Sequence, residues 1–548
     1  MNVIKKLPTG ISDFETIIEN NYYYIDKTLF IEEIGKNIGK TLLFTRPRRF
    51  GKTLNMSTLK YFFDIKEAEK NRKLFEGLNI EKTPYISEQG KYPVIFISFK
   101  DIKEMSINNC EEQLKQLISS LYRDNLNVIE SLDEFDREDF VNICRKNFNQ
   151  VTLSNSLKFL SKILYEYYKQ KVIILIDEYD TPLVSAHQYG YYDEALNLFK
   201  GLYSSALKDN LYLHMGVITG IIRVNKAGIF SDLNNLSVNT IMENEYSEYF
   251  GITEKEVEEM LSYYDMEYEM PEVKLWYDGY RFGNAEIYNP WSILNFVRSQ
   301  ELKAYWIDTS ENYLINHVIK NAGEDLFDAL KELFAGKSVE ETITGNSSMS
   351  TLLTQQEIWE LMLFSGYLTI DKKIERNQYL VKIPNKEVQD FFKDKFIEIS
   401  FGGYSRFYNA MRALKENNIE RFEILLQQMV LNSLSYHDTD KEEKFYHILL
   451  LGMIQSLDEE YHIHSNQESG LGRYDIELEP RNKNKRGYIL ELKVASSEEQ
   501  LKERAEEGLA QISEKKYGSV LKERGIKEIT YIRIAFHGKK VCIKYCNV

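Results

Sequence analysis

The chain has 548 residues, 43% hydrophobic and 28% charged, a globular composition that excludes global disorder and, at roughly 150 residues per domain, implies three to four domains. Its 69 Lys and Arg against 84 Asp and Glu leave a net charge of −15, which excludes a polybasic coat for nucleic acid and leaves such binding to local patches. Only 4 cysteines, 9 prolines and 28 glycines exclude a disulfide framework, collagen-like repeats and Pro-rich linkers.

Cys110, Cys144, Cys542 and Cys546 read as structural thiols of a reducing compartment, with Cys542 and Cys546 on a strand-like run and no Cys/His pair to complete a zinc site. The opening MNVIKKLPTGISDFE has no apolar stretch behind its lysines. No window approaches about 18 apolar residues, so neither a signal peptide nor a membrane span is expected, and the chain reads as cytoplasmic.

Up to about residue 245, short β-rich apolar runs at 41–45 (TLLFT), 94–99 (VIFISF), 172–176 (VIILI) and 215–219 (MGVIT) alternate with helix-period segments such as 54–63 and 157–168. Continuous apolar strands separated by helices predict an α/β fold with a mostly parallel sheet covered on both faces. Ligands of such sheets bind beyond the carboxyl ends of the strands. From 246 to 388 the chain reads as a helical lid rich in aromatics. Within it, a helix ending at Ser365-Gly366 and two β runs (367–370 and 378–383) around a polar turn suit either a winged-helix module or a packing hairpin. Residues 389–436 read as an amphipathic helical connector. From 437 to 548 the pattern is mixed again, with a helix at 442–454, strands near 473–479, 487–494 and 529–536, and a helix near 498–517.

After TLLFT comes Arg46-Pro47-Arg48-Arg49-Phe50-Gly51-Lys52-Thr53, then a helix. A phosphate-binding loop, G-x-x-x-x-G-K-[ST], lies between strand and helix so that backbone N–H groups and the helix N-terminus surround the phosphates. Gly51, Lys52 and Thr53 are in place, and Arg46 stands where the first glycine would be. The run 172–176 ends in Asp177-Glu178, the pattern in which Asp holds Mg2+ and Glu aligns the attacking water. The run 215–219 ends at Thr219, placed to sense a γ-phosphate. Arg223 follows, either to stabilise that phosphate's charge or to make a surface salt bridge. Together these features predict an ATP-binding P-loop NTPase over 1–245.

LPTGISDFETIIENNYYYIDKTLFIEEI, RPRRFGKTLNMSTLKYFFD, IDEYDTPL and TGIIRVNKAGIFSDLNNL resemble the bacterial AAA-ATPase-like family, and WYDGYRFG (276–283) with IYNPWSIL (287–294) is similar to the segment that follows its core. The resemblance covers about the first 300 residues. It implies that RPRRFGK is the family's own form of the loop, with Arg46, Arg48, Arg49, Phe50, Gly51, Lys52, Thr53, Asp177, Thr219 and Arg223 around ATP, Thr53 and Asp177 on Mg2+, and Glu178 catalytic. It also implies a nuclease-like domain at the C-terminus.

Residues 487–494 read GYILELKV, a strand that puts Glu491 and Lys493 on one face and Leu490, Leu492 and Val494 on the other. Asp475 stands at a strand start 16 residues earlier. Two carboxylates and a lysine are what metal-assisted phosphodiester cleavage requires. Glu443 lies on a helix upstream and Gln511 on a helix downstream. Glu, Asp, Glu-x-Lys and a helical Gln, in that order, resemble the PD-(D/E)xK nuclease superfamily. The resemblance implies Asp475 and Glu491 as metal ligands, with Mg2+ or Mn2+, and Lys493 as the catalytic lysine. Glu443 would complete the metal site and Gln511 would position the lysine or DNA. His447 reads as a structural histidine. His437, His462 and His464 show no ligand spacing with a third partner. The basic loop Arg481, Lys483, Lys485 and Arg486 reads as a solvated turn or a phosphate contact.

The expectation is thus an ATP-hydrolysing switch joined to a metal-dependent nuclease acting on DNA rather than RNA, in a setting such as defence against foreign DNA. A homo-oligomer is compatible with it and a membrane partner is not expected. The competing readings are a nucleotide-switched regulator that binds nucleic acid or protein without cleaving, and a signal-sensing NTPase with no nucleic-acid substrate.

Overall fold

Apolar runs without polar alternation form strands only where both faces are covered, and the first four runs do so. β1 (Thr41–Thr45) and β3 (Val172–Asp177) are buried at every position. With β2 (Val94–Ser98), β4 (Leu213–Gly220) and β5 (Leu236–Asn239) they make a sheet of order β2-β3-β4-β1-β5. Every pairing in it is parallel. β5 was not expected from sequence, because three of its four residues are half-exposed and it carries no apolar run. Helices at Ile107–Arg123, Gln150–Tyr168 and Tyr192–Leu207 send Leu114, Leu157, Leu160, Phe199 and Leu202 into one apolar core with β2 and β3.

The computed structural model describes residues 4–37, 41–223, 229–230, 233–306, 329, 332–333, 336–345, 354–392, 404–433, 446, 450–451, 453–457, 460–465, 468–469, 472–473, 475–507 and 519–547. The chain divides into two compact units, residues 1–315 with 338–388, and residues 316–337 with 389–548. No helix among the described residues is long and apolar enough to cross a membrane.

The rest of the first unit is built on two small antiparallel sheets. β6 (Ile252–Thr253), β7 (Tyr280–Phe282) and β8 (Ala285–Tyr288) order as β6-β8-β7. β9 (Val339–Thr342), β10 (Thr369–Glu375) and β11 (Gln378–Lys382) order as β10-β11-β9. The helix before this hairpin, Gln355–Phe364, starts at a capping box of Thr354 and Glu357. A helix followed by a hairpin with a third strand added suits a winged-helix module and a packing hairpin alike.

In the second unit, β12 (Tyr461–Ser465), β15 (Ile476–Pro480), β16 (Gly487–Val494), β17 (Ile529–His537) and β18 (Lys540–Asn547) form one sheet in that order, beside a ribbon of β13 (Glu468–Ser469) and β14 (Gly472–Arg473). β16 and β17 run parallel and the other neighbours antiparallel. One face of the sheet is apolar. Ile476, Leu478, Leu490, Leu492, Ile532 and Ile534 pack there with Phe407, Leu414, Phe422 and Leu426 from helices Tyr404–Lys415 and Ile419–Ser433. Leu490 is fully buried at the centre of this layer. Leu490→Ala should lower the unit's stability by about 3 kcal/mol. Urea unfolding followed by amide exchange in β15–β17 reads this, and a loss under about 1 kcal/mol would contradict the assigned core.

Candidate functional site

In the first unit, the turn from β1 into helix Lys52–Phe63 crosses Gly51 at φ 81°, a left-handed backbone that favours glycine. Lys52 follows and is nearly buried. Its ammonium donates to the carbonyls of Arg46 (2.9 Å) and Pro47 (2.8 Å). The parallel register that sets Ile176 beside Ile218 also brings the tips of β3 and β4 together. There Asp177, fully buried, accepts the Thr53 hydroxyl on Oδ2 (2.9 Å) and the Thr219 hydroxyl on Oδ1 (2.5 Å). Glu178 sits at φ 52° and accepts the Thr181 hydroxyl at 3.2 Å. Burial pushes the Lys52 ammonium down to about 8, against the opposing pull of Glu178, Asp180 and Asp177. The Thr53 hydroxyl and Asp177 carboxylate are hard oxygen donors beside a helix N-terminus, a donor set that fits Mg2+ next to phosphate.

Not every expected residue faces this centre. The Arg46 side chain is fully buried and turns away from it, donating to the carbonyls of Thr45 (2.9 Å) and Asn239 (2.8 Å). Its guanidinium lies over the rings of Phe250 (4.9 Å) and Phe282 (5.4 Å), and burial pushes it down to about 9. Phe50 is also buried, against Tyr280 and Phe282. These two side chains anchor the loop instead of lining a nucleotide site. Arg48 is half-buried, and Arg49 is exposed with its guanidinium 4.2 Å from the Trp291 ring. Arg223 donates to the Gly345 carbonyl at 3.1 Å. Asp180, which sequence reasoning passed over, accepts the N–H groups of Ile221 (2.7 Å) and Ile222 (2.9 Å) and so fixes the approach to Arg223. Its signal was the third acid of Asp177-Glu178-Tyr179-Asp180.

In the second unit, the sheet face opposite the apolar core carries the carboxylates and the lysine. Ile489, Ile529 and Tyr531 pack with Leu521 and Ile526 at one end of that face, and Ala495 and Ala535 pack with Leu501 and Ala505 at the other. Glu491, Lys493 and Arg533 lie between them by strand alternation. The register Ile476↔Leu490 and Glu477↔Ile489, continued one step, sets Asp475 opposite Glu491. Asp475 Oδ2 accepts the Leu492 N–H at 2.8 Å. Glu491 stands 3.8 Å from the Lys493 ammonium and accepts Arg533 at 3.3 Å. Arg533 is nearly buried and paired with Glu491 across the parallel β16–β17 register. Nothing in the sequence pattern marked it, because 42 residues separate it from Glu491. Two carboxylates from adjacent strands, with oxygen donors only, fit a hard divalent cation. Glu443, Gln511, His437 and His447 lie outside the described residues.

The His464 expectation changes, and the basic loop 481–486 stands as a solvated turn. His464 does have partners: its ring lies across β12–β15 from Glu477 and Glu479, with one ligand atom of each within 4.8 Å of the others. Arg524 reaches into the same group, 2.5 Å from Glu479 and 3.5 Å from Glu477. The basic loop 481–486 joins β15 to β16 at the end of the hairpin remote from Asp475. There Lys485 pairs with Glu460 (2.5 Å) and Arg486 with Glu528 (2.6 Å), so this loop is not at the carboxylate–lysine site.

These geometries agree with the likenesses to known proteins. Residues 8–230 match the family model described as predicted AAA-ATPase, and residues 441–546 match the model of the PD-(D/E)XK nuclease superfamily. The chain therefore carries an AAA-ATPase-like domain followed by a PD-(D/E)XK nuclease superfamily domain. It is also similar to an uncharacterized protein encoded in the vnfD 5′ region of Azotobacter chroococcum, 26% identical over 393 residues, which are 70% of this chain and 68% of that protein.

Lys52 is charged below about pH 8 without a ligand and stays charged beside a phosphate. Above that pH, ATP binding takes up a proton, so affinity should fall from pH 8 to about pH 10 by up to about tenfold per unit, read by isothermal titration. Arg46→Gly, which writes a first glycine into the loop, should cost about 3 kcal/mol of stability and weaken ATP binding. Thermal melts and nucleotide titration test both effects.

Proposed function

We propose that this protein is an ATP-hydrolysing switch coupled to a metal-dependent nuclease that cuts DNA. The observation that carries the reading is the pair of centres. One is Asp177 joined to Thr53 and Thr219 with Lys52 on the adjacent loop, and the other is Asp475 opposite Glu491 with Lys493 on the same strand. In the first, Lys52 leaves the Arg46 and Pro47 carbonyls to meet the β- and γ-phosphates, while Glu178 aligns the attacking water. Thr219 reports the γ-phosphate, Arg223 leaves the Gly345 carbonyl to meet its charge, and Thr53 and Asp177 would hold the cation. In the second, Asp475 and Glu491 hold a cation, supported by Glu443. Lys493 orients the water and meets the developing charge on the phosphate, with Gln511 positioning it or the DNA. When bound, Mg2+, or Mn2+ at the nuclease site, supplies charge neutralisation at phosphate oxygens and a more acidic water.

Purified protein should nick or degrade linear, circular or single-stranded DNA with Mg2+ or Mn2+, and the rate should differ between ATP, ADP and a non-hydrolysable analogue. Lys493→Ala and Glu491→Ala should each cut the rate by about 100-fold or more. Lys52→Ala should remove the nucleotide dependence while the nuclease site stays intact. Wild type as inert as Lys493→Ala across metals, nucleotides, DNA and RNA would end the nuclease reading. A second reading, a nucleotide-switched regulator without cleavage, is favoured by Arg533, whose charge already offsets Glu491. Salt-sensitive DNA binding without any cleavage would select it.

A further inference from the structure

The loop between β1 and its helix has no first glycine, and its shape is imposed from outside. Pro47 lies against Gly366, at φ 89°, where an added Cβ would stand 2.9 Å from the Pro47 Cβ. The Arg48 carbonyl accepts the Trp306 indole N–H at 3.1 Å. Trp306 is 2% exposed, and its backbone N–H donates to Glu387 Oε1 at 2.6 Å. Glu387, 0% exposed, takes the Ser292 hydroxyl on Oε2 at 2.8 Å. A carboxylate buried to this depth is tolerated where fixed donors satisfy it. Here one of those donors is the backbone of the tryptophan that reaches the nucleotide loop.

The next residue shows what that reach does. Arg49 sits at φ 68°, a left-handed backbone that costs a non-glycine residue free energy and persists only when the surroundings impose it. Because the peptide unit is planar and trans, a carbonyl of Arg48 held toward Trp306 turns the N–H of Arg49 the opposite way. Rotation of that peptide would relieve Arg49 and exchange an N–H donor for a carbonyl oxygen, which repels phosphate. The Lys52 ammonium, bonded to the two carbonyls just before Arg48, has to leave them to meet a phosphate, and the Arg48–Arg49 peptide is exposed to rotation once those bonds are lost.

We propose that Trp306 is a positioning residue for the nucleotide loop, itself set by Glu387, and that it keeps the Arg48–Arg49 peptide turned with its N–H available to a phosphate oxygen. The assignment deepens the ATP-binding reading of the Lys52 centre and rests on it. The test uses the full chain, with ATP titration and steady-state ATP hydrolysis. Trp306→Phe keeps an aromatic ring in the Tyr280–Tyr367 contact but is smaller, and it removes the indole donor, leaving the Arg48 carbonyl with the Asn289 side-chain amide at 3.5 Å. It should raise the KM for ATP about tenfold and leave kcat within about threefold. Glu387→Ala should do the same. Glu387→Gln keeps an acceptor for the Trp306 N–H and an amide that can donate to the Ser292 hydroxyl, so it should bind ATP like wild type. Melting curves confirm that each variant is folded. If Trp306→Phe does not fold, Gly366→Ala, which drives a methyl into Pro47, should give the same rise in KM. Folded Trp306→Phe or Gly366→Ala with wild-type KM would overturn the assignment, as would a Glu387→Gln as impaired as Glu387→Ala. Wild type that neither binds nor hydrolyses ATP would instead overturn the reading of the site itself.

Discussion

A guanidinium buried at the end of a sheet strand has to be accommodated where it stands, and that of Arg46 is met by carbonyls at Nη1 alone, with Nε and Nη2 left to the aromatic faces beside them. Arg46 takes two backbone carbonyls, one from its own strand and one from β5, and two aromatic faces, one of them on β7. A phosphate loop that begins with glycine can close on its own. This one is held by contacts with β5 and with Phe282 of β7, because the residue in the glycine's place is packed against them. The same dependence continues along the loop: Phe50 needs Tyr280 and Phe282, and Arg49 rests on Trp291. The segments WYDGYRFG and IYNPWSIL therefore serve the nucleotide loop although they lie more than 200 residues after it.

The parallel sheet was legible because unbroken apolar runs have few other places to go. The same holds for the face split of β16, where Glu491 and Lys493 alternate with Leu490 and Leu492. What stayed hidden depended on pairing between distant strands. The orientation of Arg46 is set by Asn239, on a strand too short and too exposed to announce itself. Arg533 meets Glu491 only through the β16–β17 register, and His464 meets Glu477 only through β12–β15. The basic loop 481–486 looked close to the site in sequence. It is remote because an antiparallel hairpin carries its turn away from the start of its first strand. Periodicity reports which side a residue faces, and register reports what it faces.

The second unit divides its sheet between two tasks. One face is a continuous apolar layer against helices, and the other confines polar groups to a lane between two small apolar patches. Within that lane Glu491 lies between Lys493 and Arg533, so a carboxylate in a half-buried place is never without a cation nearby. The acid-rich composition takes on meaning here. A net charge of −15 opposes a polyanion at long range, and Lys493 and Arg533 set two cations beside Glu491 within that acidic background.

The helices Tyr404–Lys415 and Ile419–Ser433 have a bearing on how such a domain can be moved between proteins. They belong to the same apolar layer as β15–β17, although they lie before every residue that would do chemistry. A gene segment cut at the first motif would leave Phe407, Leu414, Phe422 and Leu426 behind and expose the sheet face they cover. The unit that can be inherited, fused or expressed intact is thus longer than the unit that can be recognised, and recombination that respects only the motifs would leave that apolar face uncovered.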